Sequence, residues 1–461
     1  ESTEKYLSAL RAVRAASGDA GLASPRATAL LQELQAELSG MLAQRSSEGG
    51  AEHAEVLSDV DLAAFNQWFH HQLAGKHPLR VRAVRDPELR IGVEAIERIG
   101  QDEVYLAVPP AAILDRRSAE KGALGKALQK VRSLFGRGDA FHELLLHLIY
   151  ERFVLREQSH WWPYLKLLPS VGQQQAPYFA DESVLDPALA GSVMLAAVQQ
   201  QQMQVLQQYK QIMLPILERV SFFKPYTNEF ALAQYEWGTF ILNTRSIWWQ
   251  GERHLVPMLD FVNCRSVKTN SLQGPMPMRV HSTLADEWGF AVTRAPLPLE
   301  VGEQVFENYG QPNHVYYLYH GFTLDQNPHD CLLWEGLGRK QLCLDSRHVL
   351  DDAFAATLAP DGGADSQAQH EVAKRGREAL LVKLEQRLQK PLRPALAAAA
   401  PLEAAAHAFA ASERRLLTEL VYSLREALQR SSTSTSSDSS CSTTGDASVC
   451  SSRTFSIDKR Q

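Results

Sequence analysis

Gly302-Glu303-Gln304-Val305-Phe306-Glu307-Asn308-Tyr309-Gly310 reads as a turn, a short strand and a second turn closed by Tyr-Gly. Period-two alternation puts Val305, Glu307 and Tyr309 on one face of that strand. Upstream lie Asn243-Thr244-Arg245 and Leu255-Val256-Pro257-Met258-Leu259-Asp260-Phe261-Val262-Asn263; downstream come Gly321-Phe322 and Asn327-Pro328-His329-Asp330. Residues 222–330 thus mix aromatics, strands and turns, and most of the chemically suggestive sequence falls there.

The flanks differ. Leu144, Leu145 and Leu148 stand at helical spacing, as do Met194, Val198, Val205, Tyr209 and Ile212. Earlier, Ser58 and Asp61 open a short helix carrying Leu62, Phe65, Trp68 and Phe69, while Val104, Leu106 and Val108 alternate with Tyr105 and Ala107 as a strand stopped by Pro109-Pro110. A helix is expected at 27–42 and a break at 46–50. Beyond a Gly- and Asp-containing linker at 359–366, Leu381, Leu384 and Leu388 form one apolar stripe; Leu417, Leu420, Val421, Leu424 and Leu428 form another. Ser, Thr, Asp and Gly dominate 431–452, and this tail is expected to be disordered.

The 461 residues allow two or three domains, and 45% apolar with 22% charged residues is a globular composition. With 47 Lys and Arg against 53 acids, the net charge of -6 sets up no field that would gather nucleic acid or anionic lipid. No run approaches the ~18 apolar residues of a membrane helix. Cysteines 264, 331, 343, 441 and 450 are odd in number and lack CxxC spacing, so neither a disulfide scaffold nor a zinc site is expected. A reducing compartment, cytoplasm or nucleus, fits that usage; the chain opens with Glu1, which leaves targeting to an organelle open. Adjacent His70 and His71 diverge on a helix, and no metal site is expected.

The order and spacing of these segments resembles a SET domain, of the type that includes the Rubisco large-subunit lysine methyltransferase and the actin-histidine methyltransferase. Val104 to Pro109, Trp161-Trp162-Pro163-Tyr164-Leu165 and Leu168-Pro169 match the same pattern. The resemblance implies an α+β fold: a SET (β-clip) core at 61–335 split by a helical insert at about 115–220, preceded by a helical segment at 1–60. An all-α substrate-binding domain at 336–430 and the tail at 431–461 would follow. It implies methyl transfer from S-adenosylmethionine to a side-chain nitrogen of a protein substrate, lysine first, by a monomer and without a metal. A protein-histidine methyltransferase and a catalytically weak SET-like binding module are the alternatives.

By the same resemblance Tyr309 is the catalytic tyrosine closing the target channel. Arg245 would grip the cofactor carboxylate, Asp260 and Asn263 would belong to the cofactor pocket, and Phe322 would flank the adenine. Arg90-Ile91-Gly92 stands where the family has Gly-x-Gly, and Asn263-Cys264 where it has Asn-His. All are taken as cofactor-binding positions. Read without the resemblance, Tyr309 and Phe322 are also compatible with core, Asn263 with an Asx turn, and Arg245 with a surface ion pair. His320, in Tyr319-His320-Gly321-Phe322, places an imidazole beside the channel, leaving lysine and histidine targets both open.

Overall fold

Ser58 begins the first described helix, Asp59–Leu73, its hydroxyl accepting from the Val60 amide at 3.1 Å. Leu62, Phe65, Phe69 and Leu73 face inward; each fully buried phenylalanine contributes roughly 1.5–3 kcal/mol. The computed structural model describes residues 57–73, 77–121, 123–135, 140–174, 176–180, 182–190, 192–270, 274–277, 283–286, 288–325, 327–333, 341–343, 355–356, 369–390 and 401–437. The expected helix at 27–42, the break at 46–50, the linker at 359–366 and the tail from 438 onward lie outside these.

After that helix come two antiparallel strands, Val81–Asp86 and Arg90–Ala95, with Val81 opposite Ala95 and Val84 opposite Gly92. The Asp86 carboxylate ties the turn, accepting from the Glu88 and Leu89 amides at 2.8 and 2.6 Å. Strand Val104–Val108 joins Ala291–Arg294 and Thr283–Ala285 in a three-stranded antiparallel sheet. Both faces of Val104–Val108 are covered, since Tyr105 and Ala107 are buried along with Leu106 and Val108.

The described elements from Arg116 to Arg219 are helices and helical turns, among them Ala140–Ile149 and Val193–Gln208. Leu144, Leu145, Leu148, Met194, Val198 and Val205 pack inward as their spacing predicts. Two indoles are tied to the backbone: the half-buried Trp161 donates to the Ala112 carbonyl at 2.9 Å and the buried Trp237 to that of Pro169 at 2.7 Å. Helix Leu232–Arg245 then leads into the hairpin Ser246–Trp249 and Glu252–Leu255.

Gly302–Tyr309 closes the core in two steps. The Ala95 amide donates to the Glu303 carbonyl and the Val305 amide to that of Val93, at 2.9 and 2.7 Å. Phe306–Glu307 then pairs in parallel with Asn263–Cys264, Phe306 opposite Asn263 and Glu307 opposite Cys264.

The chain divides into two compact units, Glu1–Asp345 with Lys390–Leu416, and Ser346–Gln389 with Leu417–Gln461. The expected boundary at 335/336 falls within the first. In the second, helix Gln369–Leu388 buries Leu380 and Leu384, and Leu420, Val421 and Leu424 are buried on helix Pro401–Ser437. That helix continues through Ser437, so residues 431–437 of the expected disordered tail are helical.

One expectation is overturned. Cys331–Leu333 pairs antiparallel with Gln341–Cys343, and the facing Cys331 and Cys343 form a disulfide. Sequence spacing missed it because cysteines 12 apart meet only once the hairpin forms. Cysteine usage therefore gives no support to a reducing compartment. Among the described residues no group of three or more His, Cys, Asp or Glu is placed to hold a metal ion, and no helix is long and apolar enough to cross a membrane.

Candidate active site

The parallel pairing delivers the Tyr-Gly turn to the turn Leu259–Phe261. Tyr309 donates its hydroxyl to the Val262 carbonyl at 2.6 Å. Burial holds its phenol well above its ordinary pKa; Cys264 and Glu307 push the same way and the Arg245 charge opposes them.

Leu259–Phe261 is preceded by Met258 at φ 75°, a left-handed backbone held by a fully buried side chain. This kink presents Asp260. Arg245, at the carboxyl end of its helix where a cation is favoured, donates through Nη1 to the Asp260 carbonyl at 2.9 Å and lies 3.4 Å from Oδ2. Tyr164, from the Trp-Pro-Tyr-Leu segment, donates to the same Oδ2 at 2.9 Å. Burial raises the Asp260 carboxyl to about 6, against the lowering pull of Arg245 and of the Tyr164 hydrogen bond. Asp260 Oδ1 and Arg245 Nε are buried without a hydrogen-bond partner among the described residues.

Arg245, Asp260 and Tyr309 open onto one cavity of about 370 Å³, within the size range of small-molecule sites. Ile247, Leu259 and Val315 supply apolar wall; Trp248, Arg253 and Tyr319 also line it. Glu307, buried, lines the cavity and accepts the Tyr105 hydroxyl at 2.5 Å. His320 lines it too; burial, and then the Arg245 charge, lower its pKa to about 4, so the ring is neutral near pH 7. No motif marks Glu307 as a site residue, although its shared face with Tyr309 is legible in the alternation. Tyr105 and Tyr164 carried no such signal, because their partners lie 202 and 96 residues away.

The other expected positions do not line this cavity. Arg90 keeps a left-handed backbone, φ 72°, which glycine adopts freely, and its guanidinium donates to the Leu167 carbonyl. Asn263 donates to the Ile91 carbonyl at 2.9 Å. A Cβ at Gly92 would lie 1.8 Å from Gln304 Nε2, so any side chain there must displace the end of that glutamine. Cys264 contacts the Tyr316 hydroxyl at 3.7 Å, and burial raises its thiol to about 11, which argues against a nucleophile. Phe322 stacks on Tyr316, with centroids 5.0 Å apart.

This architecture is the SET-domain fold. A structure described as Rubisco LSMT bound to AdoMet superposes with a TM-score of 0.57 at 17% identity, covering 81% of this chain and 93% of that one. The SET domain of LSMT bound to lysine and AdoHcy gives 0.56 at 18%, covering 80% and 91%. Among curated proteins the chain is similar to the actin-histidine N-methyltransferase of Danio rerio, 28% identical over 247 residues, 52% of this chain and 38% of that protein. It is also similar to the N-lysine methyltransferase SETD6 of Homo sapiens, 29% identical over 127 residues, 28% of this chain and 26% of that protein. The chain therefore spans well under half the length of these curated relatives. No family model matches it.

Proposed function

We propose that this chain is an S-adenosylmethionine-dependent protein N-methyltransferase acting on lysine. The observation that carries the reading is the convergence of Tyr309 with Arg245 and Asp260 on one cavity of the SET fold. The partnerless Arg245 Nε and Asp260 Oδ1 fit the amino-acid end of the cofactor, guanidinium to carboxylate and carboxylate to ammonium. Backbone groups of Arg90-Ile91-Gly92 and Asn263-Cys264 and the face of Phe322 would hold the nucleoside. When bound, the cofactor supplies an electrophilic methyl group on a sulfonium.

The chain's own residues handle the target nitrogen. A free lysine amine, with a pKa of about 10.4, is almost wholly protonated near pH 7 and has no lone pair to attack with. The apolar wall of Ile247, Leu259 and Val315, with His320 neutral, disfavours a second positive charge and promotes the free amine. Since the Tyr309 hydrogen is committed to the Val262 carbonyl, its oxygen lone pairs are turned toward an incoming N–H. That holds the nitrogen in line for displacement, and alignment of this kind contributes up to roughly 7–11 kcal/mol in well-oriented systems.

A histidine target is the second reading, favoured by the relatives named actin-histidine N-methyltransferase, one of which aligns over 52% of this chain. Incubating the protein with methyl-labelled S-adenosylmethionine and cell extract, then locating the label by mass spectrometry, separates the two. We expect label on lysine Nε, reduced at least ~100-fold by Tyr309→Phe. Label on imidazole supports the second reading. Cofactor binding without transfer refutes both and leaves a binding module.

A further inference from the structure

We propose that Arg253 selects the protein substrate by taking the side-chain carboxylate of an Asp or Glu that flanks the target residue; the proposal deepens the methyltransferase reading and rests on it. Alternate residues of strand Glu252–Leu255 point to opposite sides. Arg253 lines the cavity that Tyr309 lines, whereas Glu252 and His254 line a separate one. Glu252 is engaged on that other side, 3.5 Å from Arg116.

The surroundings of Arg253 orient its charge without neutralising it. Its Cζ lies 4.7 Å from the centroid of Trp248 and 5.2 Å from that of Phe141, so two ring faces hold the guanidinium. Nη1 donates to the Leu242 carbonyl at 3.0 Å and to the Ser246 hydroxyl at 2.9 Å. Nε and Nη2 donate to no acceptor, and no carboxylate pairs with Arg253, among the described residues. Arg245, in contrast, lies 3.4 Å from Asp260 Oδ2. Burial lowers the pKa of Arg253, and only the phenols of Tyr319 and Tyr178 act the other way. A half-buried cation in that position is stabilised by an anion arriving with a ligand, and the two unused edges of a planar fork match a carboxylate.

Position indicates which ligand brings the anion. The side chain of Asp260 is fully buried, which marks the inner end of the cavity. Trp248, opposite Arg253 across the hairpin, is 58% exposed, which marks the rim. Arg245 is already assigned to the carboxylate of the cofactor. Arg253 is left for the polypeptide that passes the rim once its target nitrogen reaches Tyr309, and a charged pair there discriminates among substrates by sequence.

The test uses synthetic pentapeptides centred on lysine or on histidine, with Glu or Gln at each flanking position in turn and alanine elsewhere. Their affinities are measured by calorimetry on the full chain saturated with S-adenosylhomocysteine. At one flanking position or more the wild type should prefer Glu over Gln at least about tenfold, and Arg253→Gln should bring the two near parity. Arg253→Glu should reverse the sign, favouring Lys over Gln at the same position. No preference for Glu in the wild type, or the same preference in Arg253→Gln, overturns the proposal. Should Arg253→Gln lose its melting transition, Arg253→Lys decides: with a point charge in place of the fork the preference should fall at least threefold, and an unchanged preference overturns the proposal. Wild type that fails to bind S-adenosylhomocysteine overturns the methyltransferase reading itself, whereas retained cofactor binding without a preference for Glu overturns only the role of Arg253.

Discussion

Acidification from pH 7 to 5 should weaken S-adenosylhomocysteine binding roughly tenfold, and Asp260→Asn should remove that dependence. The magnitude follows from the Asp260 carboxyl, pushed up to about 6 by burial: the ionised fraction falls from about 0.9 at pH 7 to about 0.1 at pH 5. If only the carboxylate pairs with the ligand ammonium, affinity tracks that fraction. At pH 5.5 about three-quarters of a proton should leave on binding, visible by calorimetry in two buffers of different ionisation enthalpy. The sign for folding is opposite. A carboxyl whose folded value lies above its ordinary value of 3.8 favours the fold fully only below 3.8, and that contribution is lost as pH rises through about 6. The thermal shift produced by ligand should therefore grow with pH across this window. Wild-type binding that is flat in pH, or an equal slope in Asp260→Asn, refutes the pairing.

Gly92→Ala should cost about 1 kcal/mol by displacing Gln304 from its 2.9 Å hydrogen bond to Asp86, and the cost should vanish in a Gln304→Ala background; urea titration of the double-mutant cycle checks it. Asn313→Ala should destabilise by at least ~3 kcal/mol, because the buried amide donates to the Leu324 carbonyl, Asp330 and Ser412 while accepting from the Leu324 amide. A loss below about 1 kcal/mol in the same titration contradicts this. Cys343→Ser should cost about 3 kcal/mol, from the chain entropy of a closed loop of sequence separation 12. A non-reducing peptide map should contain the Cys331–Cys343 crosslink, and free thiols at both positions contradict it.

Local pattern made much of the core legible. The apolar spacing of Leu144, Leu145 and Leu148 and the alternation around Val305 report directly which face is buried, because helix and strand periods are properties of consecutive residues. The candidate site was legible only where a short motif carries it, as with Tyr309 and the Asp260 turn. Tyr164 and Tyr105 acquire meaning from carboxylates far along the chain, and nothing adjacent to either signals the partner. The cavity joins Arg245, Asp260 and Tyr309 but not Asn263, whose amide is consumed by the Ile91 carbonyl. Composition mispriced the cysteines, since cross-strand proximity is set by hairpin register rather than by sequence spacing.

A crystal structure of the protein grown with S-adenosylhomocysteine and free lysine measures the account most directly. The account predicts the ligand's carboxylate on Arg245, its ammonium on Asp260, and the lysine ε-nitrogen within hydrogen-bonding distance of the Tyr309 oxygen. Nucleoside density elsewhere, or a lysine lying away from Tyr309, would contradict it.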